Sequence, residues 1–193
     1  SMGIKNIVVF ASGNGSNFEA IIQSIESKKL NVNCVGCIVD KENAYVIERA
    51  KNHHIPVYLC LRKDFNSKVE MEESMLNQLN NWKCDVIVCA GYMRIIGETL
   101  LSNFKNRIIN IHPSLLPKYR GKDALDQALA YKDRRLGITV HYVDEGMDTG
   151  QIIKQMEFVI GENESRDEVE IKLHKLEHHF YPAVLKELLE DSK

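Results

Sequence analysis

No apolar run in this 193-residue chain approaches the ~20 residues that a membrane-spanning helix needs. Positive charge is not in excess either. The 25 Lys and Arg against 27 Asp and Glu leave a formal net charge of −2, so no overall field draws the protein to nucleic acid or to a membrane surface. Cysteine is odd in number and gives no disulfide framework: Cys34, Cys37, Cys60, Cys84 and Cys89 sit in or beside apolar runs and read as reduced, buried thiols. With no spanning segment, a cytoplasmic location is expected. Cys34-Val35-Gly36-Cys37 invites a metal or redox reading, but strand residues three apart face opposite sides, so the two sulfurs are expected to diverge. Internal repeats, low-complexity tracts and linker-like boundaries are also missing. Residues 1–193 therefore read as one domain, large enough to bury its own core, with residues 1–3 as a cloning remnant or a disordered lead.

What the chain does have is alternation. Short β-rich runs at Ile7 to Ala11, Cys34 to Val39, Pro56 to Cys60, Val86 to Ala90 and Arg107 to Ile111 are separated by helical patterns over 17–28, 43–53, 66–81 and a short segment near 95–102. This repeated order predicts an α/β fold with a doubly wound, mostly parallel sheet, which binds ligands beyond the carboxyl ends of its strands. A helix over Ala124 to Tyr131, two strands at 138–143 and 151–159 that pair as antiparallel neighbours, and a closing helix complete the chain. In the closing helix Val169, Leu173, Leu176 and Phe180 form one apolar stripe, residues 162–168 supply an acidic start, and Pro182 is expected to kink or interrupt it.

Three segments carry chemistry. The first strand runs into Ala11-Ser12-Gly13-Asn14-Gly15-Ser16-Asn17-Phe18, where glycines permit a tight turn and a helix start offers free N–H groups to an anion. The dinucleotide fingerprint fails because Phe18 stands at its third glycine, and the Lys-Ser/Thr pair of a P-loop is absent. Asp40, after the second strand, keeps a ribose-binding nucleotide reading open. Next, Asn110 and His112 stand two apart where an apolar strand meets a loop bounded by Pro113 and Pro117. They share a face, so an amide donor and a proton-carrying imidazole can address one substrate atom. Finally, Asp144, Glu145 and Asp148 crowd the turn between the late strands. A carboxylate there can orient His112 and favour its protonated form. A metal held by His112, His141, Asp144 and Asp148 is the alternative use of these side chains, but no HExxH pattern supports it and no metal is expected.

With Gly-Asn-Gly-Ser-Asn at 13–17, Gly-Tyr-Met-Arg-Ile-Ile at 91–96, Asn-Ile-His-Pro-Ser-Leu-Leu-Pro at 110–117 and Asp-Glu-Gly-Met-Asp-Thr-Gly at 144–150, the chain closely resembles the phosphoribosylglycinamide formyltransferases over nearly its whole length. The resemblance implies a Rossmann-like formyltransferase fold. It also implies transfer of the formyl group of 10-formyltetrahydrofolate, a co-substrate, to the amine of glycinamide ribonucleotide, in de novo purine synthesis. Asn110, His112 and Asp148 match the family's catalytic trio. The ribonucleotide phosphate would lie on Gly15, Ser16 and Asn17, and its ribose near Glu177 and His174. Folate would lie along Met93, Arg94, Ile95 and Ile96, beside Asn110 and against Asp144, Glu145, Gly146, Met147 and Asp148, with Lys68 where the family commonly has Arg. The loop Arg120-Gly121-Lys122-Asp123-Ala124-Leu125 lacks a histidine found in some relatives. Partners would be these small molecules alone, acting on a monomer or homodimer.

Two cousins fit less well. A methionyl-tRNA formyltransferase would carry a further C-terminal domain and a basic face for tRNA. A formyltetrahydrofolate hydrolase would carry an N-terminal regulatory domain, whereas here the first strand starts within ten residues. A non-catalytic nucleotide-binding module explains the alternation, the glycine loop and Asp40, but not Asn110, His112 and Asp148 converging at one sheet edge.

Overall fold

A computed structural model describes residues 3–190. Ser1 and Met2, part of the expected cloning remnant, lie outside these residues. Gly3, grouped with them, is an exposed bend leading into the first strand.

The strands are β1 (Asn6–Ala11), β2 (Asn33–Val39), β3 (Val57–Leu59), β4 (Val86–Cys89), β5 (Ile108–His112), β6 (Arg135–Tyr142) and β7 (Ile152–Val159). The helices are α1 (Ser16–Glu26), α2 (Val46–Asn52), α3 (Lys68–Asn81), α4 (Glu98–Asn103), α5 (Ala124–Ala130) and α6 (Arg166–Leu189). The strands form one sheet in the order β3-β2-β1-β4-β5-β6-β7. Pairing is parallel through β5, and antiparallel where β5 meets β6 and β6 meets β7. The chain winds outward from β1 to β3, then returns to lay β4 on the other side of β1. This places a topological switch at the carboxyl ends of β1 and β4.

Both faces of the parallel strands are covered, so their interiors are near-continuous apolar runs rather than alternating ones. In β1, Ile7, Val9 and Ala11 pack with Phe18 and Ile21 of α1, Val46 and Ala50 of α2, and Leu173, Tyr181 and Leu185 of α6. Val8 and Phe10 point the other way, toward Met71, Met75 and Leu79 of α3 and Leu100 of α4. Tyr181, wholly buried, sends its hydroxyl to the Cys89 carbonyl at 2.7 Å and so ties α6 to the ends of β4 and β5.

Two sequence expectations fail here. The register between β1 and β2 shifts between Ile7 and Val8, which skips Val35. That bulge restores the facing of the residues beyond it, so Cys34 and Cys37 meet the same apolar layer instead of diverging. Beside the bulge Gly36 lies against the Trp82 ring, where a Cβ would collide with the indole. All five cysteines are free, although Cys34 and Cys84 are only partly buried. Burial pushes the Cys34 thiol up to about 12, which leaves it inert at neutral pH. The second is the interruption expected at Pro182, which lies inside an unbroken α6. Its missing N–H costs about 3 kcal/mol in an isolated helix. Here that cost is offset by burial of Tyr181, Pro182, Val184 and Leu185 on the sheet. The start of α6 is as expected: the Ser165 hydroxyl accepts from Glu168 N–H at 3.1 Å, and the Glu168 carboxylate accepts from Ser165 N–H at 2.9 Å.

Candidate active site

Where β5 ends, its alternation places Asn110 and His112 in the wall of a cavity of about 320 Å³. One side of the cavity is the irregular stretch after β4, with Met93, Arg94, Ile95 and Ile96. The other side combines Gly121 to Ala124 with Asp144, Gly146, Met147 and Asp148. His112 is 5% exposed, so its ring cannot drift. Its Nδ1 lies 3.4 Å from Asp148 Oδ2, and its Nε2 donates to the Tyr119 carbonyl at 2.8 Å. Both ring nitrogens thus face oxygen acceptors.

His141, considered from sequence only as a possible metal ligand, proves central. Antiparallel register sets it directly beside Asn110. Its Nδ1 donates to the Tyr142 carbonyl at 2.8 Å, which leaves Nε2 facing Asn110 Nδ2 at 3.4 Å and Asp148 Oδ1 at 3.6 Å. Asp148 therefore bridges two histidines and also accepts the Gly121 N–H at 2.8 Å. Burial alone would raise its pKa, but the hydrogen bond from His141, the Gly121 N–H and the charges of the two histidines outweigh that and hold the carboxyl below its ordinary range. The backbone of Asp148 is left-handed, at φ 57°, a conformation that an Asp tolerates better than most residues.

Asp144 does not join this cluster. Its Oδ1 accepts from Gly146 N–H at 3.0 Å and from the Thr149 hydroxyl at 2.6 Å, an arrangement that shapes the turn. Among the described residues, no group of three or more His, Cys, Asp or Glu side chains is arranged to hold a metal ion. Glu145 is exposed outside the cavity. Lys68, at the start of α3, is exposed as well. Its Cε would lie 3.0 Å from a Cβ on Gly97, which puts it next to the 93–96 stretch.

The glycine loop forms a second cluster. Gly15 caps α1 at φ 80°, and a Cβ there would come within 2.5 Å of Val46 Cγ2, so only glycine fits. Arg49 of α2 props the loop by donating to the Asn14 carbonyl at 2.8 Å and to Asn14 Oδ1 at 2.9 Å. Asn17 Nδ2 donates to Glu177 Oε1 at 2.9 Å, and His174 Nδ1 lies 3.7 Å from the same oxygen. The Asn17 Oδ1 is buried without a hydrogen-bond partner. Gly15, Ser16 and Asn17 thus stand beside Glu177 and His174. Asp40 is elsewhere: Arg94 Nε donates to its Oδ2 at 3.0 Å, so the carboxylate that kept a ribose-binding reading open is engaged in an ion pair.

Residues 5–185 match the formyl transferase family. The chain belongs to that family. It is 47% identical to phosphoribosylglycinamide formyltransferase of Bacillus subtilis, over 96% of this chain and 95% of the relative. Identity to the protein of the same name from Escherichia coli is 34%, over 93% and 85%. The crystal structure of phosphoribosylglycinamide formyltransferase from Bacillus halodurans superposes with a TM-score of 0.94 at 44% identity, covering 98% of this chain and 97% of that one. The mostly parallel sheet with its antiparallel β6 and β7 is the architecture of these relatives. No helix among the described residues is long and apolar enough to cross a membrane.

Proposed function

We propose that this chain transfers the formyl group of 10-formyltetrahydrofolate to the amine of glycinamide ribonucleotide, as a cytoplasmic enzyme of purine synthesis that works as a monomer or homodimer. The observation that carries the reading is the meeting of Asn110, His112 and Asp148 in one cavity, next to a glycine loop whose first residue, Ser12, is hydrogen-bonded to Gly91 and Met93.

In this reading the phosphate lies on Gly15, Ser16 and Asn17, and the ribose hydroxyls on Glu177, with His174 beside them. Folate lies along Met93 to Ile96, with Lys68 near its acidic end and residues 144–148 against the pterin. The neutral amine attacks the formyl carbon. As the carbonyl oxygen gains charge, Asn110 Nδ2 and His112 Nε2 donate to it. Fixed donors of this kind lower a barrier by about 3 kcal/mol apiece. The carbon's bond to the folate nitrogen then breaks, and the proton lost by the amine reaches that nitrogen, by way of a water held on Asp148. His112 can serve only after the Tyr119 carbonyl leaves its Nε2.

The test is release of tetrahydrofolate from 10-formyltetrahydrofolate, with and without glycinamide ribonucleotide, in the wild type and in His112→Ala. Release should require the ribonucleotide and fall by two orders of magnitude or more in the variant, on the order of one lost oxyanion donor. Release without any amine would mark a hydrolase. No release under either condition would restore the binding-module reading.

A further inference from the structure

Residues 91–97 belong to no helix or strand, yet three buried polar side chains from three separate elements meet them from beneath. Ser12, just past β1, accepts the Met93 N–H on its hydroxyl at 2.9 Å, and its own N–H donates to the Gly91 carbonyl at 3.1 Å. Asp40, just past β2, has a side chain only 1% exposed. Its Oδ2 holds Arg94, and its Oδ1 has no partner. Glu72, in the middle of α3, is 4% exposed. Its Oε2 accepts from Gly97 N–H at 2.6 Å and its Oε1 from Leu100 N–H at 3.3 Å.

Burying two carboxylates and a hydroxyl is costly, and apolar side chains of similar size would fill the same space more cheaply. What the polar groups supply is geometry: Ser12 and Glu72 fix two points of one stretch of backbone, and Asp40 fixes the Arg94 side chain between them. We propose that Ser12, Asp40 and Glu72 are positioning residues for the folate co-substrate. They hold the 91–97 wall in its binding shape before folate arrives, so that its order need not be established at the moment of binding. None of the three lines the cavity, and none is near Asn110, His112 or Asp148 in the hydrogen-bond network. Their effect therefore falls on folate affinity rather than on the chemical step. The proposal rests on the placement of folate along Met93 to Ile96 given above.

The experiment is steady-state formyl transfer by Ser12→Ala, Asp40→Asn and Glu72→Gln, varying each substrate in turn. The KM for 10-formyltetrahydrofolate should rise about tenfold in the two carboxylate variants, the size of one lost hydrogen bond to a charged group. In those two variants the KM for the ribonucleotide and kcat should change by no more than about threefold, whereas Ser12→Ala, at the start of the glycine loop, should raise both KM values. Gly97→Ala perturbs the Glu72 contact without removing a buried carboxylate, since its Cβ would lie 2.9 Å from Glu72 Oε1. Because Lys68 Cε lies 3.0 Å from the same point, the variant is made in a Lys68→Met background, where its further rise in folate KM reads Glu72 alone. It serves if a carboxylate variant fails to fold. Asp40→Asn combined with Arg94→Lys should cost less than the sum of the two changes if Asp40 acts through Arg94. Unmoved folate KM in these variants, an equal rise in both KM values in the carboxylate variants, or full additivity in the double variant would overturn the proposal while leaving the transferase standing. A wild type that does not transfer formyl at all would overturn both.

Discussion

Along 91–97 the chain is held by Ser12 and Glu72 on its backbone and by Asp40 on the Arg94 side chain, residues in or just past three elements of the parallel part of the fold. Across the cavity, the loops at 118–124 and 144–150 are held differently: Gln127 of α5 donates to the Arg120 and Lys122 carbonyls at 3.0 and 2.8 Å, the Ser114 hydroxyl donates to the Lys118 carbonyl, and the Asp148 carboxylate ties one loop to the other. Left-handed backbone recurs there, at Tyr119, Gly121, Asp123 and Asp148, and two of the loop's contacts to the site are peptide groups: Tyr119 C=O on His112 and Gly121 N–H on Asp148. One wall is fixed by the scaffold. The other adds contacts to His112 and Asp148 to its own local ones, so a change in those two groups should loosen it and leave its counterpart intact.

Asp148→Asn offers the strongest way to break this contrast. It should lower kcat by about two to three orders of magnitude, as loss of a charge that stabilises the transition state does. It should also speed tryptic cleavage at Lys118, Arg120 and Lys122, while cleavage at Arg94 on the fixed wall stays at the wild-type rate. Mass spectrometry of a digestion time course reads both sites in one sample, and equal acceleration at Arg94 would remove the distinction between the walls. A smaller effect is expected from His141→Gln. This change weakens the second support of Asp148 and frees Asn110, and should reduce kcat roughly tenfold, the worth of a hydrogen bond to a charged group. Folate KM should barely move, because the 91–97 wall does not depend on His141. A folate KM that rises in step with the fall in kcat would show that the two walls are coupled.

The smallest effect concerns pH. The Asp148 carboxyl is held below its ordinary value in the folded protein, so its contribution is complete above the unfolded pKa of about 3.9 and is lost as pH falls through the lower folded value. Hydrogen exchange at the Gly121 amide, corrected for the intrinsic rate, should therefore stay constant from pH 7 to pH 5. Protection that decays within that range would assign the loop's order to another group.

The fixed wall was harder to read in the sequence than the catalytic strand. Asn110 and His112 stand out because polar residues at the end of an apolar strand break its pattern, and Asp148 stands out in an acidic turn. Their meeting in one cavity needed only the α/β alternation, which the sequence displays from Ile7 onward. Asp40 could not be assigned from sequence because its partner lies 54 positions away in an irregular stretch. His141 needed the β5 to β6 register, and the peptide groups of Tyr119 and Gly121 have no side-chain signature at all. The bulge before Gly36 is silent for a different reason. In a strand buried on both faces the interior is a near-continuous apolar run, so an extra residue shifts the facing without disturbing any pattern.

The Tyr119 carbonyl on His112 Nε2 has one further consequence for the proposed reaction. The formyl oxygen would arrive at a position already held by an oxygen of the same kind, so its binding exchanges one carbonyl for another and leaves the count of hydrogen bonds unchanged. The resting protein thereby keeps its most reactive nitrogen covered by its own chain. A water molecule seeking that nitrogen must compete with a tethered rival.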